Sequence, residues 1–134
     1  MAINTTPVFG KTPEISTTLL TAAMGGTLTA PTNTVVGFTA GADGAIIKDI
    51  NFAAQVATTA GKVYIFLEDT AAAGTYHFHD YVIIPASGAL SATVHPVQQK
   101  YGRYIKLEAG WRTVYAMHNG EALVVTTIAD QLTA

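Results

Sequence analysis

A period of two runs through residues 103–130, RYIKLEAGWRTVYAMHNGEALVVTTIAD. Arg103, Ile105 and Leu107 fall on one side of a first extended segment, and Trp111, Thr113, Tyr115 and Met117 on one side of a second. Leu123, Val125, Thr127 and Ala129 do the same in a third. Alternate side chains of a pleated strand point to opposite faces, so the stretch reads as three short strands. Gly110 follows Ala109 in the first turn, and Asn119-Gly120 fills the second. Asn-Gly tolerates the positive φ of a two-residue hairpin, which makes a β-meander the expectation here.

The preceding chain continues in the same manner. Strand signals occur over 35–40, 46–56, 62–68, 75–84 and 92–97, separated by turns such as Asp43-Gly44, where a hairpin is expected, and Ser87-Gly88. In the second of these, Ile46, Ile50, Phe52, Ala54 and Val56 share a face, with Asp49, Asn51 and Gln55 on a wet side. In the third, Val63, Ile65 and Leu67 point inward. Pro96 marks 92–97 as an edge strand or a bulge. No long segment keeps a helical period, so about eight strands and regular turns predict an all-β antiparallel sandwich, jelly-roll-like.

Residues 1–33 differ from the rest: nine threonines, three of the five prolines and only Lys11 and Glu14 as charges. Their hydrophobes keep no sustained period, yet a disordered tail rarely holds so many large apolar residues. The expected organisation is an extended N-terminal arm over 1–33 and a sandwich domain over 34–134. Phe9, Ile15, Leu19 and Leu20 are the arm's candidate apolar contacts with a neighbouring subunit.

Composition narrows the function. The chain has 134 residues, 49% apolar and 12% charged, and a net charge of −2. Its seven Lys and Arg are scattered, so no basic stripe awaits phosphates and no nucleic-acid partner is expected. No apolar run is long enough for a membrane span, and no signal peptide is evident at the start. Cysteine is absent, which excludes disulfides. The expectation is a protein made and kept in the cytoplasm, or assembled there into something larger.

His77-Phe78-His79 is the one arrangement that invites a metal argument. Residues i and i+2 on a strand point the same way, and His95, His118 or Asp80 could complete a set. A cupin-type site would need a Gly six residues before the pair and a Glu shortly after. Here Gly74 stands three before His77, and Asp80-Tyr81-Val82-Ile83-Ile84 contains no Glu. Two ligands without a third rarely hold a specific ion, so no metal, no cofactor and no catalytic residue is assigned, and the histidines are read as surface groups beside Tyr81. Glu68-Asp69 reads as a solvated loop flank. No serine lies in a G-x-S-x-G context, and no glycine loop opens a helix. Trp111 reads as core, with a sugar platform or interface anchor as its functional alternative.

Three stretches and one strand together resemble a family. They are TTPVFGKTPEIS (5–16), VGFTAGADGAIIKDI (36–50), GKVYIFLED (61–69) and LEAGWRTVYAMHNGEALVV (107–125). The order is similar to that of small tailed-phage virion proteins that decorate or cement the head: a Thr/Pro arm, FTAG-x-x-G, V-x-x-F-L-x-D, then L-x-A-G-W with an N-x-E turn. The resemblance implies a sandwich on the capsid surface of the virion, bound to the major capsid protein, as homo-oligomers with trimers favoured. It supplies no catalytic residues and does not account for residues 76–96. The alternative is a carbohydrate-binding sandwich on a tail or baseplate, using exposed Tyr or Trp.

Overall fold

The computed structural model describes residues 9–94 and 96–133, with the backbone alone for 9–11 and 133. Among these residues eleven strands follow in order: β1 Phe9–Leu20, β2 Gly25–Gly26, β3 Pro31–Thr32, β4 Val35–Thr39, β5 Ala45–Ala54, β6 Gly61–Asp69, β7 Tyr76–Ile84, β8 Gln98–Tyr101, β9 Ile105–Leu107, β10 Trp111–Met117 and β11 Leu123–Thr133. No α-helix occurs among the described residues; one 3-10 turn covers Thr70–Ala72. A five-stranded sheet has the order β1-β11-β5-β8, with β9 also on β5, and a four-stranded sheet has the order β4-β10-β6-β7. All these pairings are antiparallel. The fold is therefore all-β, as the alternation predicts.

The sheets meet face to face over one core that includes Phe38, Ile47, Ile50, Phe52, Val63, Ile65, Tyr115, Leu123 and Val125. Phe52 and Tyr115 join the layers edge to face, ring centres 5.8 Å apart. A buried phenol must keep its hydrogen bonds, and Tyr115 does. The Phe38 N–H donates to Thr113 Oγ1, the Thr113 hydroxyl donates to Tyr115 Oη at 3.1 Å, and Tyr115 Oη bonds Thr127 Oγ1 at 2.6 Å. Burial pushes the Tyr115 phenol up to about 12. Its ring lies so close to Gly37 that a Cβ there would stand 2.1 Å from Tyr115 Cε2, so β4 requires glycine at this point.

The meander expected over 103–130 does not form. β9 and β11 belong to the five-stranded sheet and β10 to the other, so both turns are arches between layers. Asp43-Gly44 likewise carries the chain from β4 in one sheet to β5 in the other. A tight turn sequence fixes a reversal, but the bonds around it decide whether the strands pair. The Asn119 side chain donates to the carbonyls of Thr59 and Ala60, and the Glu121 carboxylate accepts the Thr59 N–H at 2.8 Å. Asn119-Gly120-Glu121 thus clamps the β5–β6 crossing. The hairpin between the longest adjacent strands is β6–β7, through the loop after Asp69.

Three further expectations change. Residues 92–94, 96 and 97 form no strand; Pro85 and Pro96 offer no N–H to a ladder, and the pairing segment is β8. The inward face of β5 switches at Lys48, where the register shifts: Ala45 and Ile47 are buried before it, Ile50, Phe52 and Ala54 after it. Ile46 is therefore not on the core face, and Val56 lies exposed beyond the strand. Within residues 1–33, Phe9–Leu20 is a full strand of the five-stranded sheet, paired from Phe9↔Thr133 to Leu20↔Leu123. Its inward positions include Ser16 and Thr18, opposite Thr127 and Val125, so a polar inner row hides the period.

Candidate contact surface

An antiparallel sheet packed on one side normally shows polar side chains on the other. The four-stranded sheet does not. Residues directly opposite across a ladder share a face, so the register gives the outer rows. One row runs Val36, Val114, Phe66, Phe78; the next runs Ala116, Tyr64, Tyr81; a third pairs Lys62 with Ile83; the fourth runs Arg112, Glu68, Tyr76. Phe66, Val114 and Ala116 form a second apolar cluster outside the main core, flanked by Met24, Tyr64 and Tyr76. Met24 reaches it because its N–H donates to the Met117 carbonyl at 2.7 Å.

The aromatic rings contact one another along these rows. Phe66 meets Phe78 at 5.9 Å and Tyr76 at 6.1 Å, while Tyr64 meets Phe78 at 6.4 Å. Lys62 Nζ stands 4.8 Å from the centre of the Tyr81 ring. Toward β7 the cluster is open: Phe78 is 41% exposed, Tyr81 44% and Ile83 60%. At the other end it is fixed by an ion pair whose carboxylate is buried and whose guanidinium is partly exposed. Arg112 Nε donates to Glu68 Oε1 at 2.6 Å, and Glu68 Oε2 accepts the Gly74 N–H at 2.7 Å. Glu68 is 2% exposed, so the solvated reading of this residue is corrected.

A bulge in β7 creates this surface. The register jumps from Ile65↔Asp80 to Phe66↔Phe78, leaving His79 extra. Tyr76 and Phe78 precede it on the outer face; Tyr81 and Ile83 follow it there. His77 and His79 point to the other side, away from Tyr81. His77 lies against Trp111, ring centres 5.5 Å apart, and His79 Nε2 is 3.2 Å from Tyr101 Oη. Among the described residues no three His, Asp or Glu groups gather as metal ligands, and His95 lies outside them. His118 is exposed at the far end of β10.

The remaining sequence candidates are spread over the molecule. Ile15 and Leu19 are exposed on β1, Leu20 is buried in the core at 1%, and Phe9 lies in β1 with its side chain outside the described set. Trp111 is partly buried against the core and lines a hollow of ≈ 210 Å³ with Leu67, Lys106, Leu107 and Glu108. A larger groove of ≈ 510 Å³ separates β7 from β8 and includes Asp80, Tyr81, Gln99, Tyr101 and Arg103. Tyr101 donates to Asp80 Oδ2 at 3.1 Å. The Tyr81 backbone N–H, then the Tyr101 hydroxyl and nearby Arg103, hold the Asp80 carboxyl below its ordinary range. Burial, then this bond, raises the Tyr101 phenol.

No protein-family model and no curated protein matches this sequence. Among solved structures the chain is similar to the "Cyanophage Pam1 capsid asymmetric unit", at 17% identity and a TM-score of 0.35, covering 96% of this chain and 91% of that chain.

Proposed function

We propose that this chain is a non-enzymatic phage decoration protein that docks on the head shell through the outer face of its four-stranded sheet. The observation that carries the reading is the open aromatic and aliphatic end of that face, Phe78, Tyr81 and Ile83, on a sheet side that would otherwise be polar. The sequence resemblance to head decoration proteins supports the same reading and names the major capsid protein as partner. The charged groups nearest the face are used internally: Glu68 on Arg112, Lys62 over Tyr81. Each copy adds a modest apolar contact, and many copies around a shell stabilise it through multivalency. The test adds purified protein to undecorated shells and follows gradient co-migration and shell melting. Saturable binding at a fixed copy number with a raised melting temperature is expected; free protein at the top of the gradient refutes the proposal.

A second reading, a carbohydrate-binding module, draws on the groove between β7 and β8, where Tyr81 borders Asp80, Gln99 and Arg103. Trp111 lies outside that groove, so tyrosine emission rather than tryptophan quenching would report sugar. Glycan-array binding that is lost on Asp80→Ala would favour this reading over the first.

A further inference from the structure

The edges of the two sheets are unequally protected against another chain. An edge strand carries a row of unpaired N–H and C=O groups, which folded proteins blunt with short strands, bulges, charge or proline. β4 has five residues and a register shift beside Gly37, and β7 is bulged at His79 beside Asp80. β8 has four residues including Lys100, and β9 three including Lys106. The first half of β1 is blunted as well, by the register shift over Lys11, by Pro13 and by Glu14. Its second half, ISTTLL over 15–20, has none of these devices. Among the described residues its backbone pairs with β11 alone.

That unprotected half is symmetric in character about Thr17. Ser16 and Thr18 stand one residue to either side, and Ile15 and Leu19, 71% and 47% exposed, stand two. We propose that β1 pairs antiparallel with β1 of a second copy across a two-fold axis at Thr17, making one continuous sheet of the two five-stranded ones. Ile15 then faces Leu19 of the partner subunit on the outer side of the sheet, and Ser16 faces Thr18 of the partner subunit on the inner side. Pro13 falls opposite the residue after the partner strand ends, where no ladder bond is required of it. An isologous contact sets residue i against j and j against i about one axis, and here each such pair also matches in character, Ile15 with Leu19 and Ser16 with Thr18, which favours a second copy as occupant over an unrelated strand. A paired window of seven residues, roughly 23 Å long, contacts less than the ~800 Å² per partner of a standard interface. The association is accordingly weak in dilute solution and grows where copies are crowded.

The test needs no shell, so its outcome is separable from that of the docking proposal. The full chain is followed by sedimentation velocity over rising concentration as native, Thr17→Lys and Thr17→Cys proteins. The chain has no cysteine, so Thr17→Cys places a single thiol on the axis. Cross-strand Cβ atoms there stand ~4.5–5.5 Å apart, close to the ~3.5–4.5 Å of a disulfide. A native dimer that forms with concentration is expected, weakened at least about tenfold by Thr17→Lys, where like charges meet. Thr17→Cys should oxidise to a covalent dimer faster than Thr39→Cys, a control on the exposed side of β4. Unchanged circular dichroism and melting confirm that the variants fold. A chain monomeric throughout, with Thr17→Cys oxidising no faster than the control, overturns the proposal. So does an assembly indifferent to Thr17→Lys.

Discussion

Ile83 separates docking from folding, because 60% of it is exposed and it sits at the open end of the aromatic face. Its neighbour across the ladder is Lys62, whose own cation contact is with Tyr81. Fully burying an Ile side chain contributes about 1.5–3 kcal/mol. The exposed part of Ile83 would therefore gain roughly 1–2 kcal/mol on docking, a factor of about 5–30 in affinity. Ile83→Ser should lower binding to undecorated shells by about that factor, measured by fluorescence titration of labelled protein. Surface substitutions shift stability by about 0.5 kcal/mol or less, so the melting temperature of the isolated protein should barely move. Phe78 also touches Phe66 and Tyr64, so Phe78→Ser should lower both binding and stability. Unchanged shell affinity in Ile83→Ser would refute the argument that this end of the sheet makes the contact. A collapse of stability in that variant would refute the reading of Ile83 as free surface.

Other outcomes follow from the core and its ion pair. Arg112→Met strands the Glu68 carboxylate, which is 2% exposed, and should cost about 3–5 kcal/mol in urea unfolding; Glu68→Gln in that background should recover part of the loss. Tyr115 carries a phenol raised to about 12 by burial, against about 10 when unfolded. Its neutral form contributes stability that is intact below about pH 10 and is lost as pH rises through the folded value. Unfolding curves from pH 9 to 12 should therefore show native protein losing about 2–3 kcal/mol more than Tyr115→Phe; parallel losses would contradict it.

The sequence announced strands wherever one face was apolar and the other polar. Leu123, Val125, Thr127 and Ala129 are buried as the alternation requires, and so are Ile105 and Leu107. It was less informative about sheet membership, because Asn119-Gly120 and Asp43-Gly44 turn the chain equally well into a hairpin or across to the other layer. The bonds that decide, from Asn119 and Glu121 to residues 59 and 60, span about half the chain and leave no local pattern. Bulges misled in another way. One extra residue at Lys48 and one at His79 reverse which parity faces inward, so Ile46 leaves the core face and Tyr81 joins Phe78 outside.

The contact surface was partly visible. In KVYIFLE the residues Tyr64 and Phe66 alternate with Val63, Ile65 and Leu67, so both faces of that strand are apolar. Such a strand is covered twice or keeps an apolar outer face. Only the register with β7 and β10 shows that Tyr64, Phe66, Phe78, Tyr81 and Ile83 are contiguous. Ile15 and Leu19, expected as contacts from composition, are exposed, whereas Leu20 turns inward because a strand places successive side chains on opposite faces.

Hydroxyl-radical footprinting of the protein, free and bound to shells, tests the central claim most directly. Tyr64, Phe78, Tyr81 and Ile83 should each lose reactivity on binding, while Tyr104, 76% exposed and outside the four-stranded sheet, keeps it. Binding that leaves those four residues as reactive as in the free protein would contradict the account.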